Sequence, residues 1–221
     1  MGIPLLISIC GFVTTFQANN RSTLLKDWHS SLCLAKISLM NDLDFLKTIE
    51  DVAPTSILVA PAPVLRQQAR EVTPDDVRAV RDALPGMFSA MYKAPGIGLA
   101  APQVGISQRF VLVDVAREDE ERAPMVLINP EIIDESEDLA AREEGCLSLP
   151  NQYAEVVRPD AVKVRYRTLA GEVIEQEVDG LLATCIQHEI DHLDGVLFVD
   201  YLSKLKRNMI LRRLAKEQKR R

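Results

Sequence analysis

LLATCIQHEIDHL, residues 181–193, is the stretch on which the fold turns. It is apolar along most of its length, yet it holds His188 and His192 four positions apart, with Glu189 next to the first. In a helix, positions i and i+4 share a face about one turn apart, so the two histidines can converge on a single ion. Glu189 then projects beside the pair, where it can reach a water without ligating the metal. A run this apolar belongs in an interior, and an interior keeps ionisable groups only where they have partners or chemistry to perform. The segment is therefore expected to be a buried helix.

Working outward, five strand-like runs precede it: RFVLVDV (109–115), PMVLINPEII (124–133), YAEVV (153–157), AVKVRYRT (161–168) and EVIEQEV (172–178). Only LAG separates the last two, as in a hairpin. Before them, VTPDDVRAVRDALPGMFSAMY (72–92) reads as a helix, with Thr73 as N-cap, Pro74 at the first helical position and two acids in the first turn. Pro85 and Gly86 are expected to kink or split it. PGIGLAAPQVG (95–105) is too rich in glycine and proline for regular structure and is expected to be a loop. The sum is a mixed α+β domain, strands first and the motif helix last.

At 221 residues and 47% hydrophobic content, the chain supports one sizeable core with appendages. Its net charge of -6 implies no global attraction to nucleic acid or anionic membrane. The longest apolar run, MGIPLLISICGFV, has 13 residues, against the roughly 20 that span a bilayer, so no membrane anchor is expected. The four cysteines form no CxxC pair, which fits a reducing compartment. Residues 1–50 are expected to be a poorly ordered extension or leader. Met40 opens a stretch that resembles an ordinary bacterial start, and a transit peptide is the rival reading. Residues 51–203 form the expected catalytic domain. From Lys204 to Arg221 there are nine basic residues against the single acid Glu217, with Leu205, Met209 and Ile210 as a partial apolar stripe, so 204–221 is expected to be a basic helix and tail.

A catalytic metal site takes about three protein ligands and leaves one position for water. His29 is the only other histidine and lies in the extension, so a carboxylate or thiolate must complete the set. Glu217, the only glutamate after the motif, sits in the basic tail. EEGCLSLP (143–150) places Cys146 in a tight glycine-containing loop between strands, where a thiolate can point inward. Cys146 is the expected third ligand, while Cys185 is expected to pack beside the site as a small hydrophobe.

These residues carry a family resemblance. GIGLAAPQ (96–103), EGCLS (144–148) and QHEIDH (187–192) resemble the three motifs of the peptide deformylases, in order and at suitable separations. The resemblance covers about residues 56–205. It implies mostly antiparallel sheets around a central helix carrying HEIDH, with an N-terminal and a C-terminal helix. It implies removal of the formyl group from the N-terminal formylmethionine of nascent polypeptides, by a metal-activated hydroxide with Glu189 as general acid and base.

Cys146, His188 and His192 become the metal ligands by this resemblance. Fe(II) is the expected ion, and Zn, Ni or Co are possible occupants. Gln103 and the backbone N–H of Leu147 become the oxyanion donors. Ile97, Gly98 and Leu99 would run along the substrate, Gly145 would contact it, Glu144 would either brace the cysteine loop or contact the substrate backbone, and Cys185 would help line the methionine pocket. Arg158 is the candidate partner of Asp191. Where certain bacterial members carry arginine, seven residues past the ligand cysteine, this chain has Tyr153, which removes any charge contact with the peptide there.

The resemblance further implies a monomer, cytoplasmic or else organellar if the extension is a transit peptide, with the basic C-terminus docking near the ribosomal peptide exit. Three rival readings use the same residues: a metallopeptidase, a cysteine hydrolase with Cys146 as nucleophile, and a purely structural metal. The second leaves the i, i+4 histidine pair unexplained, and the third leaves Glu189 and the glycine loop without a role.

Overall fold

The computed structural model describes residues 43–116 and 120–219. Most of the expected extension, residues 1–42, lies outside the described residues. In chain order the elements are helix α1 (Val77–Lys93), strands β1 (Gly98–Ala100), β2 (Phe110–Val113), β3 (Met125–Glu135), β4 (Leu139–Cys146), β5 (Leu149–Pro159), β6 (Ala161–Arg167) and β7 (Val173–Asp179), helix α2 (Gly180–Leu193) and helix α3 (Lys204–Gln218). Five strands form an antiparallel sheet in the order β1-β2-β3-β6-β7, and β4 pairs with β5 in a separate hairpin. This is the α+β architecture that the sequence implies, with α2 against the sheet.

The alternation of β2 builds the two layers. All of its residues are buried, but Phe110 and Leu112 point to one face and Val111 and Val113 to the other, as the period of a strand dictates. The first face packs against Leu84, Met87, Phe88 and Met91 of α1. The second packs against Ala183, Ile186, Ile190 and Leu193 of α2. A central strand with both faces covered has to be apolar throughout, which is why its sequence lacks polar alternation. The β4–β5 hairpin contributes Leu149 and Val156 to a third cluster, with Phe198 and the inner face of α3.

Helix α2 stops where its backbone can reverse. Val196 N–H donates to Asp191 O at 2.9 Å and Gly195 N–H to His192 O at 3.3 Å, the Schellman pattern. Gly195 has φ +74, and a Cβ there would lie 2.8 Å from the backbone carbon of Arg66, so both conformation and space demand glycine. Two histidines and one glutamate are thereby held in the last two turns of a rigid, buried element.

The structure departs from several expectations. Helix α1 runs through Pro85 as one element instead of splitting, because its apolar face at Val80, Leu84, Met87, Phe88 and Met91 is buried on both sides of the proline. The glycine loop contains regular structure after all: Gly98–Ala100 pairs with β2. Residues 139–146 form a strand that the sequence did not show, so the tight loop expected around Cys146 narrows to a hairpin turn that Cys146 enters as the last residue of β4. Packing begins before residue 51, since Asp44–Asp51 forms a 3-10 helix whose Ile49 is buried in the core and whose Phe45 ring sits 5.8 Å from that of Phe88. On α3 the buried positions are Ile210 and Leu214, whereas Leu205 and Met209 are exposed. No helix of the described residues is long and apolar enough to cross a membrane.

Candidate metal centre

The end of β4 meets the C-terminal half of α2. The ligand atoms of Cys146, His188 and His192 lie within 4.8 Å of one another, the one such grouping among the described residues. Cys146 Sγ is 3.1 Å from His192 Nε2, and the two imidazole centroids are 5.1 Å apart. His188 Nδ1 lies 2.8 Å from Glu144 Oε2, so Nε2 is the nitrogen left for an ion. Burial, helped by the charges of His188, Arg66 and Arg158, drives the His192 pKa far down and keeps that ring neutral, the form that ligates. For His188 burial also opposes charge, but its bonds to Cys146 and Glu144 outweigh it and raise the pKa. Thiolate and imidazole suit a borderline or soft divalent metal, so the donor set fits the group that the sequence implies.

Glu144 braces the site and also borders the cavity. Its carboxylate accepts from Arg158 Nε at 2.6 Å and Nη2 at 3.1 Å while holding His188. Arg158 also donates to Asp191 Oδ2 at 2.8 Å, the pairing that the resemblance implies, and stacks 4.6 Å over Tyr201. The buried guanidinium thus ties hairpin to helix and fixes the orientation of one ligand ring. Tyr201, whose hydroxyl donates to Asp191 at 3.0 Å, carries no sequence signal that marks it for this site.

Glu189 is 4% exposed, and its Oε2 has no partner. Burial pushes its pKa up to about 7, with Glu144 and Asp191 adding to the rise and His188 opposing it. Gly98 makes this placement possible: a Cβ there would sit 2.7 Å from Cys185 Sγ and would also meet Glu189 Oε1.

Gln103 is buried, and its Oε1 accepts the Ala100 N–H at 2.7 Å. That bond aims the amide nitrogen at Ser148 Oγ (3.2 Å) and Cys146 Sγ (3.5 Å). Ser148 is fully buried, and sequence reasoning passed over it because a lone serine in a turn has no periodicity to expose it. Leu147 occupies the turn right after Cys146.

Gln103, Glu144, Cys146, Leu147, His188 and Glu189 border one cavity of about 540 Å³, which is also lined by Ile97, Gly98, Gly145 and Cys185, whereas His192, Ser148, Arg158, Asp191 and Tyr201 stand behind its wall. Leu99 is not among the lining residues, because its side chain is fully buried in the core. Tyr153 lies over Gly145, where a Cβ would come within 2.6 Å of its ring.

The family model described as "Polypeptide deformylase" matches residues 54–208. The chain belongs to the polypeptide deformylase family. A peptide deformylase of Agrobacterium fabrum is 51% identical over 160 residues, 72% of this chain and 94% of that relative. Among solved deformylase structures, one from Legionella pneumophila is 42% identical with a TM-score of 0.69, covering 76% of this chain and 96% of its own. Another, from Synechococcus elongatus in complex with actinonin, is 45% identical with a TM-score of 0.68, covering 73% and 88%.

Proposed function

We propose that this chain is a metal-dependent hydrolase that removes the N-formyl group from the formylmethionine of newly made polypeptides. The observation that carries the reading is Glu189: a buried carboxyl with a pKa near neutrality, on the same cavity wall as Cys146 and His188 of the Cys-His-His ligand set. Cys146, His188 and His192 hold the ion, Fe(II) by resemblance, with Zn, Ni or Co able to occupy the same donors. When bound, the ion supplies the Lewis acidity that lowers the pKa of a water and polarises the formyl oxygen.

The chain's own residues do the rest. Glu189 takes a proton from the attacking water as the new C–O bond forms at the formyl carbon. The Gln103 amide, its carbonyl end fixed by Ala100, donates to the oxygen that gains charge, together with the Leu147 N–H. Glu189 then returns the proton to the amine as the C–N bond breaks, leaving formate and a free N-terminus. Ile97, Gly98 and the backbone of Leu99 offer the outer edge of the sheet, where β1 has only β2 as neighbour, so a peptide can add as a further strand. Gly145, left without a side chain beneath Tyr153, keeps the opposite side of the cleft low enough for the peptide backbone.

The protein acts as a monomer in the cytoplasm, and the basic face of α3 docks on ribosomal RNA phosphates near the peptide exit. Anaerobic purification with metal analysis, then formate release from formyl-Met peptides beside acetyl-Met and internal-peptide controls, tests the reading. Internal cleavage without formate would replace it with a peptidase. Activity that survives metal removal and yields to alkylation would favour the cysteine hydrolase instead.

A further inference from the structure

One wall of the cavity carries a charge that a purely apolar methionine pocket does not need. Arg142 lies two residues before Glu144 on the same face of β4, and it borders the cavity together with Leu181, Thr184 and Cys185. Its Nη1 donates to Thr184 Oγ at 3.2 Å and its Nη2 to Asp160 Oδ1 at 2.5 Å. The Thr184 hydroxyl donates in turn to Gly180 O at 3.1 Å, so it aims the guanidinium and has no proton left for a ligand. Among the described residues Arg142 has no other partner, which leaves further N–H donors for whatever enters the cavity.

The spacing says what those donors face. Leu181, Thr184, Cys185 and His188 fall on one face of α2, so the groove runs from the ligand His188 back toward the helix N-terminus. Glu144 meets His188, and Arg142 meets Thr184, one step further from the metal site. That step is roughly 6 Å along the helix and roughly 7 Å along the strand. A first residue held by its formyl group at the ligands, with its side chain laid along this groove, brings its δ atom to the level of Arg142.

Resting on the deformylase reading, we infer that Arg142 is a specificity residue that extends the substrate range to peptides whose first residue is formyl-methionine sulfoxide, the sulfoxide oxygen accepting from the guanidinium. Asp160 already neutralises Arg142, and Glu144 and Glu189 stand nearby, so the wall favours a neutral acceptor over an anionic side chain. A charge-assisted hydrogen bond of this kind is worth about tenfold in selectivity.

The test compares formate release from formyl-Met, formyl-Met-sulfoxide and formyl-norleucine peptides by metal-loaded wild type, Arg142→Met and Arg142→Gln. Wild type is expected to cleave the sulfoxide peptide well above a formyl-glutamate control. The sulfoxide-to-norleucine ratio of kcat/KM should fall about tenfold in Arg142→Met and less in Arg142→Gln, which keeps a neutral donor and preserves the comparison if the apolar variant does not fold. An unchanged ratio overturns the inference, as does wild type that cleaves formyl-Met but rejects the sulfoxide. A shift confined to preference at the second or third residue also overturns it, since Arg142 would then face the downstream chain. Failure on formyl-Met itself removes the deformylase reading and this inference with it.

Discussion

Helices α2 and α3 are of similar length, and both carry ionisable residues, but they use them in opposite ways. Helix α2 buries Gln187, His188, Glu189 and His192 among apolar neighbours, and each of the three ionisable groups has its pKa moved. Helix α3 buries only Ile210 and Leu214 and leaves its lysines, Arg212 and Arg213 in water. The difference teaches that reactivity here comes from the removal of water, not from residue type. A charge that cannot be solvated has to find a proton, a partner or a metal, and each of those is chemistry.

The sharpest way to break the contrast is to disarm α2. Glu189→Ala is expected to lower kcat by about a thousandfold or more while the metal, measured by elemental analysis, stays bound. Cys146→Ser should instead lose the metal. Arg158→Met strands Glu144 and Asp191 without their buried partner, and chemical denaturation should show a loss of about 3–5 kcal/mol. The same variant should bind metal more weakly, because His188 loses its brace. Gln103→Leu removes one donor from the developing oxyanion and is expected to cost about a hundredfold in kcat, with metal content unchanged.

The pH response sharpens the comparison further. Burial raises the Glu189 pKa to about 7 from an ordinary value of about 4, so in the metal-free protein its ionisation costs stability as pH rises between those values. Glu189→Gln is therefore expected to be inactive, yet to melt a few degrees above the metal-free wild type at pH 8, with the gain shrinking toward pH 4. A lower melting temperature at pH 8 would contradict the desolvation account. The smallest effect belongs to α3: Arg212→Glu with Arg213→Glu should change stability by less than about 0.5 kcal/mol and leave turnover of short peptides intact. Weaker sedimentation with ribosomes is the readout of the docking proposed for it.

The parts that were legible in the sequence share a cause. The i, i+4 histidines, the 3-10 turn that Thr73 and Pro74 open just before α1, and the β6–β7 hairpin are each set by neighbours along the chain. Strand β4 escaped because LAAREEGC sets three consecutive charged residues between small ones and shows no period of two, and it pairs with β5 across a hairpin turn that looks like a loop. With β4 unread, Arg142 could not be placed two residues from Glu144 on the same face, and its position in the cavity stayed hidden. The α3 stripe was misjudged because which of its apolar residues face inward depends on where the β5 surface and Phe198 lie.

By itself the sequence determined that a buried helix would present two imidazoles and a carboxylate on one side, because helical periodicity and apolar composition are local properties. It also made Cys146 the one well-placed thiolate. Only the tertiary structure decided that Glu144 holds His188, that Arg158 joins hairpin to helix, and that burial pushes the Glu189 pKa up to about 7. Those outcomes depend on which groups lose water together, and that is settled only when distant strands close around α2.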